Sequence, residues 1–492
     1  MEIQSENDQP SESEAVHKRR WLAVALLFLI TLGGTVAARL DAKTQPVPAP
    51  YPSSDLTRGV VQSALSFDGR LDRGAVHVGG DGLVHLELVA TGAKLSDRAA
   101  MSSRPTDVVV VLDRSGSMGG EPMVNAIAAI RELIGQLGES DRFALVTYSN
   151  GAELAIPLEI AGPKARMRWT AQLGSIAAGG GTNMAAGLDR AHGLVSNTRE
   201  AGRVARIILL SDGHANQGDA TPEGLARRSG RAVVGEYVLS TVGVGEGFDE
   251  RLMSRLADAG TGNFYYVPNT GVLAGIFADE FESARETVAS ALEIRIDTPA
   301  GVEVLDAAGY PIETRSGYVI VRPGSLFSGQ RRSFWVTLRV PAQNPGETVL
   351  GGVRLRYRTP DGHQHEARLA AFPAIAAVVD QTRFVASLDT DAVETHHVEE
   401  TLNRLRQSVS SLVSRGDYAA AGRELDAVDY VELESLGLTA EDTESYAIVK
   451  KLKDEVARAA LVPAAKQAEV RNQLGKSLYE AGTDGRRKGA KR

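Results

Sequence analysis

Residues 108–112 are five apolar residues in succession, four valines and a leucine, with no polar residue among them. Such a run fits a strand buried on both faces, as in a parallel sheet covered by helices. A second run, Ile207-Ile208-Leu209-Leu210, has the same character. Around these two, apolar residues recur at helical spacing over 124–137, 165–176, 184–195, 222–229, 250–259 and 272–288. Strands are expected over 143–148, 154–158, 236–244 and 264–267. Strands alternating with helices predict βαβ units and a doubly wound, Rossmann-like α/β sheet.

On either side the period drops to two. Val84, Leu86 and Leu88 alternate with His85 and Glu87, and Gly80-Asp81-Gly82 marks a hairpin turn. Leu292, Ile294 and Ile296 alternate with Glu293, Arg295 and Asp297; Phe334, Val336 and Leu338 with Trp335, Thr337 and Arg339; Val353, Leu355 and Tyr357 with Arg354, Arg356 and Arg358. These read as antiparallel strands wet on one face, and several together predict an all-β sandwich, with the arginine row on its solvated side. Residues 59–105 are too few to close a core. They are expected to complete the sandwich of 291–378, which makes the α/β domain of 106–290 an insertion.

From residue 379 the pattern turns helical, with Val398, Leu402, Leu405, Val409 and Leu412 on one helix face. Arg415-Gly416-Asp417 reads as the turn into a second helix over 418–428. His396 and His397 are expected to be exposed. A helical region of 379–482 and a disordered basic tail of 483–492 complete the expected fold class, a multidomain α/β, all-β and α-helical chain.

The N-terminal end follows another logic. Residues 1–20 are a polar, acidic leader ending in Lys18-Arg19-Arg20, and residues 21–38 are free of charge. Eighteen residues without a charge behind a basic flank predict a signal anchor crossing the cell membrane once, N-terminus inside and the bulk exported to the periplasm or beyond. Val36 and Ala38 offer the alternative of a cleaved, secreted form. Residues 39–58 are a proline-rich linker.

Composition narrows the chemistry. At 492 residues there is room for about three domains. A net charge of -8 disfavours nucleic acid as a partner. With no cysteine there is no disulfide and no thiolate metal site. The glycines around Val244 do not follow G-x-G-x-x-G, and Gly475-Lys476-Ser477 lacks the upstream glycine of a phosphate loop.

Oxygen-bearing side chains gather at the expected ends of strands and helices. Asp113, Ser115 and Ser117 follow the first apolar run, Thr182 closes Gly179-Gly180-Gly181, and Asp212 follows the second run. Open α/β sheets place ligands at the carboxyl ends of their strands. Two carboxylates and three hydroxyls, without histidine or cysteine, predict a hard cation, Mg²⁺, Mn²⁺ or Ca²⁺, rather than zinc. No general base or nucleophile accompanies them, so an enzyme is not expected.

In DRSGS, GGGTN and LLSDG, in this order across roughly 106–290, the sequence resembles a von Willebrand factor A (VWA) domain with a metal-ion-dependent adhesion site, of the membrane-anchored bacterial type. The resemblance implies that Ser115, Ser117 and Thr182 supply hydroxyl ligands, while Asp113 and Asp212 supply carboxylates that often act through water. It implies an open coordination position that a Glu or Asp carboxylate of a partner protein fills. The expected function is therefore a membrane-anchored, metal-dependent protein-binding module for adhesion or assembly. The alternatives are a metal-dependent hydrolase using the same acids and a scaffold subunit with no metal requirement.

Overall fold

The computed structural model describes residues 57–58, 64–94, 105–200, 202–245, 248–267, 272–428 and 444–489. The chain enters through β1 (Thr57–Arg58), β2 (Leu65–Leu71), β3 (Ala75–His77) and β4 (Leu83–Gly92). The α/β domain then runs β5 (Thr106–Asp113), α1 (Glu121–Gln136), β6 (Arg142–Tyr148), β7 (Ala152–Ile160), α2 (Pro163–Leu173), α3 (Met184–Asn197) and β8 (Val204–Ser211). It continues through α4 (Pro222–Ser229), α5 (Arg231–Gly235), β9 (Tyr237–Val244), α6 (Glu250–Ala259), β10 (Thr261–Val267) and α7 (Leu273–Arg285).

Its sheet has the order β10-β9-β8-β5-β6-β7, parallel except for the antiparallel edge strand β7. Every residue of β5 is buried, and alternate side chains serve opposite layers. Val108, Val110 and Leu112 pack with Ile130 and Leu133 of α1, Trp169 of α2 and Phe277 of α7. Val109 and Val111 pack with Leu188 of α3, Leu225 of α4 and Leu256 of α6. That two-sided burial is why the run carries no polar residue.

The last helix is pinned to the sheet by one carboxylate. Glu280 of α7 is fully buried and accepts from Arg206 at 2.5 Å, Ser240 at 2.8 Å, Asn263 at 2.8 Å and Tyr265 at 2.7 Å. Burial raises its affinity for a proton, but the Arg206 charge and these donors win, and its pKa lies below the usual carboxylate range.

Strands β11 (Thr287–Asp297), β12 (Glu303–Ala307), β13 (Ile312–Arg315), β14 (Tyr318–Phe327), β15 (Arg331–Arg339), β16 (Gly346–Thr348), β17 (Val353–Arg358), β18 (Gln364–Arg368) and β19 (Ile375–Val378) follow. One sheet of the sandwich is β1-β2-β4-β15-β12, the facing one is β13-β14-β11-β17-β18, and β16-β19-β3 forms a small third sheet. Between the two larger sheets lie Phe67, Leu86, Leu88, Phe334 and Val336 from one and Leu292, Ile294, Val321, Leu355 and Tyr357 from the other. Leu88 of β4 stands opposite Phe334 of β15, so strands from before and after the α/β domain share a sheet. The α/β domain is inserted in the β-sandwich.

The helical region comprises α8 (Gln381–Ala386), α9 (Thr390–His396), a π-helical turn (His397–Thr401), α10 (Leu402–Ser414), α11 (Tyr418–Asp426), α12 (Glu444–Ala460) and α13 (Ala464–Arg486). Leu402, Val409, Val413, Leu425, Leu452 and Leu478 form its core. Gly416 turns α10 into α11 at a φ of 80°, and Asp417 caps α11 by accepting from Ala420 N at 2.9 Å.

The structure corrects several expectations. The junction helix ends at Arg285 and β11 starts at Thr287, because Thr287 and Ala289 already pair with Phe327 and Leu326 of β14. His396 and His397 are buried, not exposed. The basic end is ordered as far as it is described, to residue 489. Helix α13 runs to Arg486, β20 (Arg487–Lys488) pairs with Ser333 and Phe334 of β15, and Arg486 and Arg487 are buried.

The expected single membrane pass is corrected as well. No helix among the described residues is long and apolar enough to cross a membrane. The leader and the uncharged stretch of 21–38 lie outside the described residues, and membrane anchoring plays no part in the functional reading below.

Candidate functional site

Strand β5 delivers Asp113 to the carboxyl edge of the sheet, between β8 and β6. Its carboxylate is fully buried and spends both oxygens on protein donors: Oδ1 accepts from Ser115 N at 2.8 Å and Oδ2 from Ser211 Oγ at 2.6 Å. The first bond curls the chain back over the strand end, and a single turn of 3₁₀ helix (Gly116–Met118) buries Met118 beneath it. Ser115 Oγ lies 3.1 Å from Ser117 Oγ, which donates to Asp212 Oδ1 at 2.8 Å. Four of the five expected residues thus form one hydrogen-bonded chain across the ends of β5 and β8.

Thr182 stands on the neighbouring loop and is buried. That loop is joined to the first by Gly116 N donating to Gly180 O at 3.1 Å. Gly180 has a φ of 86°, and a Cβ there would press on the Asn150 side chain at 3.1 Å. Three amides frame the loop. Asn150 Oδ1 accepts from Gly181 N at 2.6 Å, Asn216 Oδ1 accepts from Thr182 N at 2.9 Å, and Asn183 caps α3 by accepting from Ala186 N at 3.1 Å.

The electrostatics of this crest are uneven. Partial burial raises the Asp212 pKa above the usual carboxylate range, the neighbouring Asp113 charge adds to the rise, and the Ser117 hydroxyl opposes it. Below them Tyr148 is fully buried, and burial together with the Asp113 charge pushes its phenol well above its ordinary value. Ser117, Asn150 and Asn216 are exposed and Asp212 is half-buried, so the crest shows solvent a carboxylate edged by hydroxyl and amide groups.

The expected cofactor, Mg²⁺ with Mn²⁺ or Ca²⁺ as alternatives, is corrected. Among the described residues no group of three or more histidine, cysteine, aspartate or glutamate side chains is placed to hold a metal ion. Among the described residues the expected set brings two carboxylates to the crest, Asp113 and Asp212. Asp113 is committed to Ser115 and Ser211, and one oxygen of Asp212 is committed to Ser117. Without an ion, two acidic groups repel a partner's carboxylate, so the expected metal-bridged Glu or Asp ligand goes with the metal.

Ser211, Tyr148, Asn150 and Asn216 complete the site and were not among the expected residues. Ser211 stood in plain view beside Asp212. The two asparagines belong to turns after β6 and β8, and their roles depend on contacts 31 and 34 residues away in sequence.

Comparison with known proteins agrees with this architecture. The uncharacterized protein YfbK of Escherichia coli is 30% identical over 217 residues, 44% of this chain and 37% of that protein, so the chain spans little more than a third of this relative. The uncharacterized protein sll0103 of Synechocystis is 25% identical over 318 residues, 62% of this chain and 73% of that protein. The solved von Willebrand factor type A protein from Catenulispora acidiphila superposes with a TM-score of 0.62 at 19% identity, covering 86% of this chain and 98% of that one, a likeness of fold. Residues 107–279 match the family model of the von Willebrand factor type A domain, and the inserted α/β core has the VWA fold.

Proposed function

We propose that the chain is a non-catalytic assembly subunit whose VWA-like crest binds a partner protein directly, with no metal requirement. The observation that carries this reading is the hydrogen-bonded chain from Asp113 through Ser115 and Ser117 to Asp212, framed by Asn150 and Asn216. It is rigid, because each group is held by a neighbour, and it leaves the exposed edge rich in acceptors. Its complement is a segment rich in donors, such as an arginine or lysine side chain flanked by free backbone N–H groups. Rigid placement lowers the ordering cost of association.

The test places a photo-crosslinking phenylalanine at position 216 of the full chain and exposes it to extract of the source cells, in chelator and in Mg²⁺. The same crosslinked species is expected in both buffers, with its yield reduced at least about tenfold by Asp212→Asn, the loss of one charge-assisted hydrogen bond. A species that needs Mg²⁺, or one indifferent to Asp212→Asn, would overturn the proposal.

A further inference from the structure

At the end of the VWA-like sheet remote from the crest, the amino ends of β8 and β9 meet the sandwich. The junction leaves a cavity of about 300 Å³ between Val204 and Tyr237 on one side and Ser290, Ser325 and Arg358 on the other. Volumes of about 300–1,000 Å³ are typical of small-molecule sites, which favour domain junctions.

Ser325 of β14 lines this cavity and is only 3% exposed, yet its hydroxyl has no hydrogen-bond partner among the described residues. A buried hydroxyl left unmatched costs free energy, so a ligand able to pair with it is favoured. The charged lining consists of three arginines and three carboxylates. Each is already paired. Asp107 pairs with Arg203 at 2.7 Å, Glu236 pairs with Arg358 at 2.8 Å and also with Arg199, and Arg142, behind the lining, pairs with Asp107 at 2.6 Å and Glu200 at 2.7 Å.

This balance selects the ligand. A charged molecule would have to break a pair or bring an uncompensated charge to the junction. An apolar one would bury Ser325 unsatisfied and mask the outer lone pairs and N–H groups of the ion pairs. We propose that the cavity binds a neutral, hydroxyl-rich molecule about the size of one sugar ring. Ring hydroxyls pair with Ser325 and with the spare hydrogen-bonding capacity of Glu236 and Arg358, while Val204 and Val233 face the carbon framework.

The test is calorimetric titration of the full chain with methyl β-glucoside, methyl α-mannoside and N-acetylglucosamine, alongside glucuronate, glucosamine and cyclohexylmethanol. At least one neutral glycoside is expected to bind saturably and more tightly than the anionic, cationic and apolar probes. Ser325→Ala should weaken it about fivefold to tenfold, as for one hydrogen bond. Ser290→Phe, which fills the cavity, should abolish binding, and Ser325→Ala keeps the test decisive if that variant fails to fold. No saturation by any neutral glycoside up to about 10 mM, tighter binding of a charged or apolar probe, or unaltered affinity in Ser325→Ala would each overturn the assignment.

Discussion

Asp113 holds the crest together from inside. It is completely buried, and its two acceptor oxygens satisfy a backbone N–H and the hydroxyl of Ser211, itself completely buried. Asp113→Ala takes the acceptor from both donors and leaves the Ser211 hydroxyl only a long contact to Gly213 O at 3.4 Å. Each buried group left unmatched costs about 1–3 kcal/mol, so the unfolding free energy should fall by about 2–6 kcal/mol. Ser117→Ala touches the same network from its exposed end and should cost less than about 1 kcal/mol, because water replaces the lost partner. Urea denaturation of both variants checks the contrast, and equal losses would mean that Asp113 does not support the crest. The motif residues could be singled out in the sequence because three stretches, two after apolar runs and one a glycine-rich turn, each bring short oxygen-bearing side chains. Asn150 and Asn216 were not, since nothing local distinguishes an asparagine that braces a distant loop from one that merely turns the chain.

Elements read best where one pattern accounts for both faces. The unbroken valines of β5 and the alternation in β4, β11, β15 and β17 placed the layers, because burial on two faces or one is written directly into the period. The helix that docks on the sandwich read worst, because its buried face is charged. Glu399 accepts from Trp335 Nε1 at 3.2 Å, Glu400 accepts from Arg486 at 2.9 Å, and His396 stacks on His85 with ring centroids 3.7 Å apart, edge-on to Trp335 at 5.1 Å. Polar residues of this kind look solvated until their partners are known. The contact carries a pH dependence. Burial, reinforced by His85, Arg73 and His397 and opposed by Asp72, holds the His396 pKa well below the ordinary histidine value. An unfolded chain takes up this proton near pH 6.5 while the folded chain does not. The unfolded state therefore binds more protons, and stability should fall as pH drops from about 6.5 toward the folded pKa, by up to about 1.4 kcal/mol per pH unit for this one group. Denaturation at neutral pH and at mildly acid pH should show that slope in the wild type and a shallower one in His396→Phe. Parallel slopes would show that His396 is not responsible.

At the scale of the whole molecule, two of the ties that fasten the inserted domain stand out. The first fastening is covalent: α7 is held to the sheet through Glu280 and is separated from β11 by Glu286 alone. The second is the basic end of the chain. Arg487 pairs with Asp258 of α6 in the VWA-like domain, donates to Ala308 O of the sandwich at 3.0 Å, and lies 3.9 Å from the centre of the Tyr310 ring. One residue earlier, Arg486 grips Glu400 of the helical region at 2.9 Å and also pairs with Asp306 of the sandwich. All three bodies meet at two consecutive arginines, which the sequence alone presents as a glycine-flanked basic tail with no apolar period. Removing one partner of a buried ion pair typically costs about 3–5 kcal/mol, since the other charge stays buried and unpaired. Arg487→Ala should therefore destabilise the chain by about that much and loosen the VWA-like domain from the rest, splitting a single calorimetric transition into two. Arg487→Lys keeps the charge but loses the planar fork and the ring contact, and should fall between wild type and Arg487→Ala. Scanning calorimetry of the three proteins decides the matter. If Arg487→Ala melts like the wild type, Arg487 is not a tie between domains.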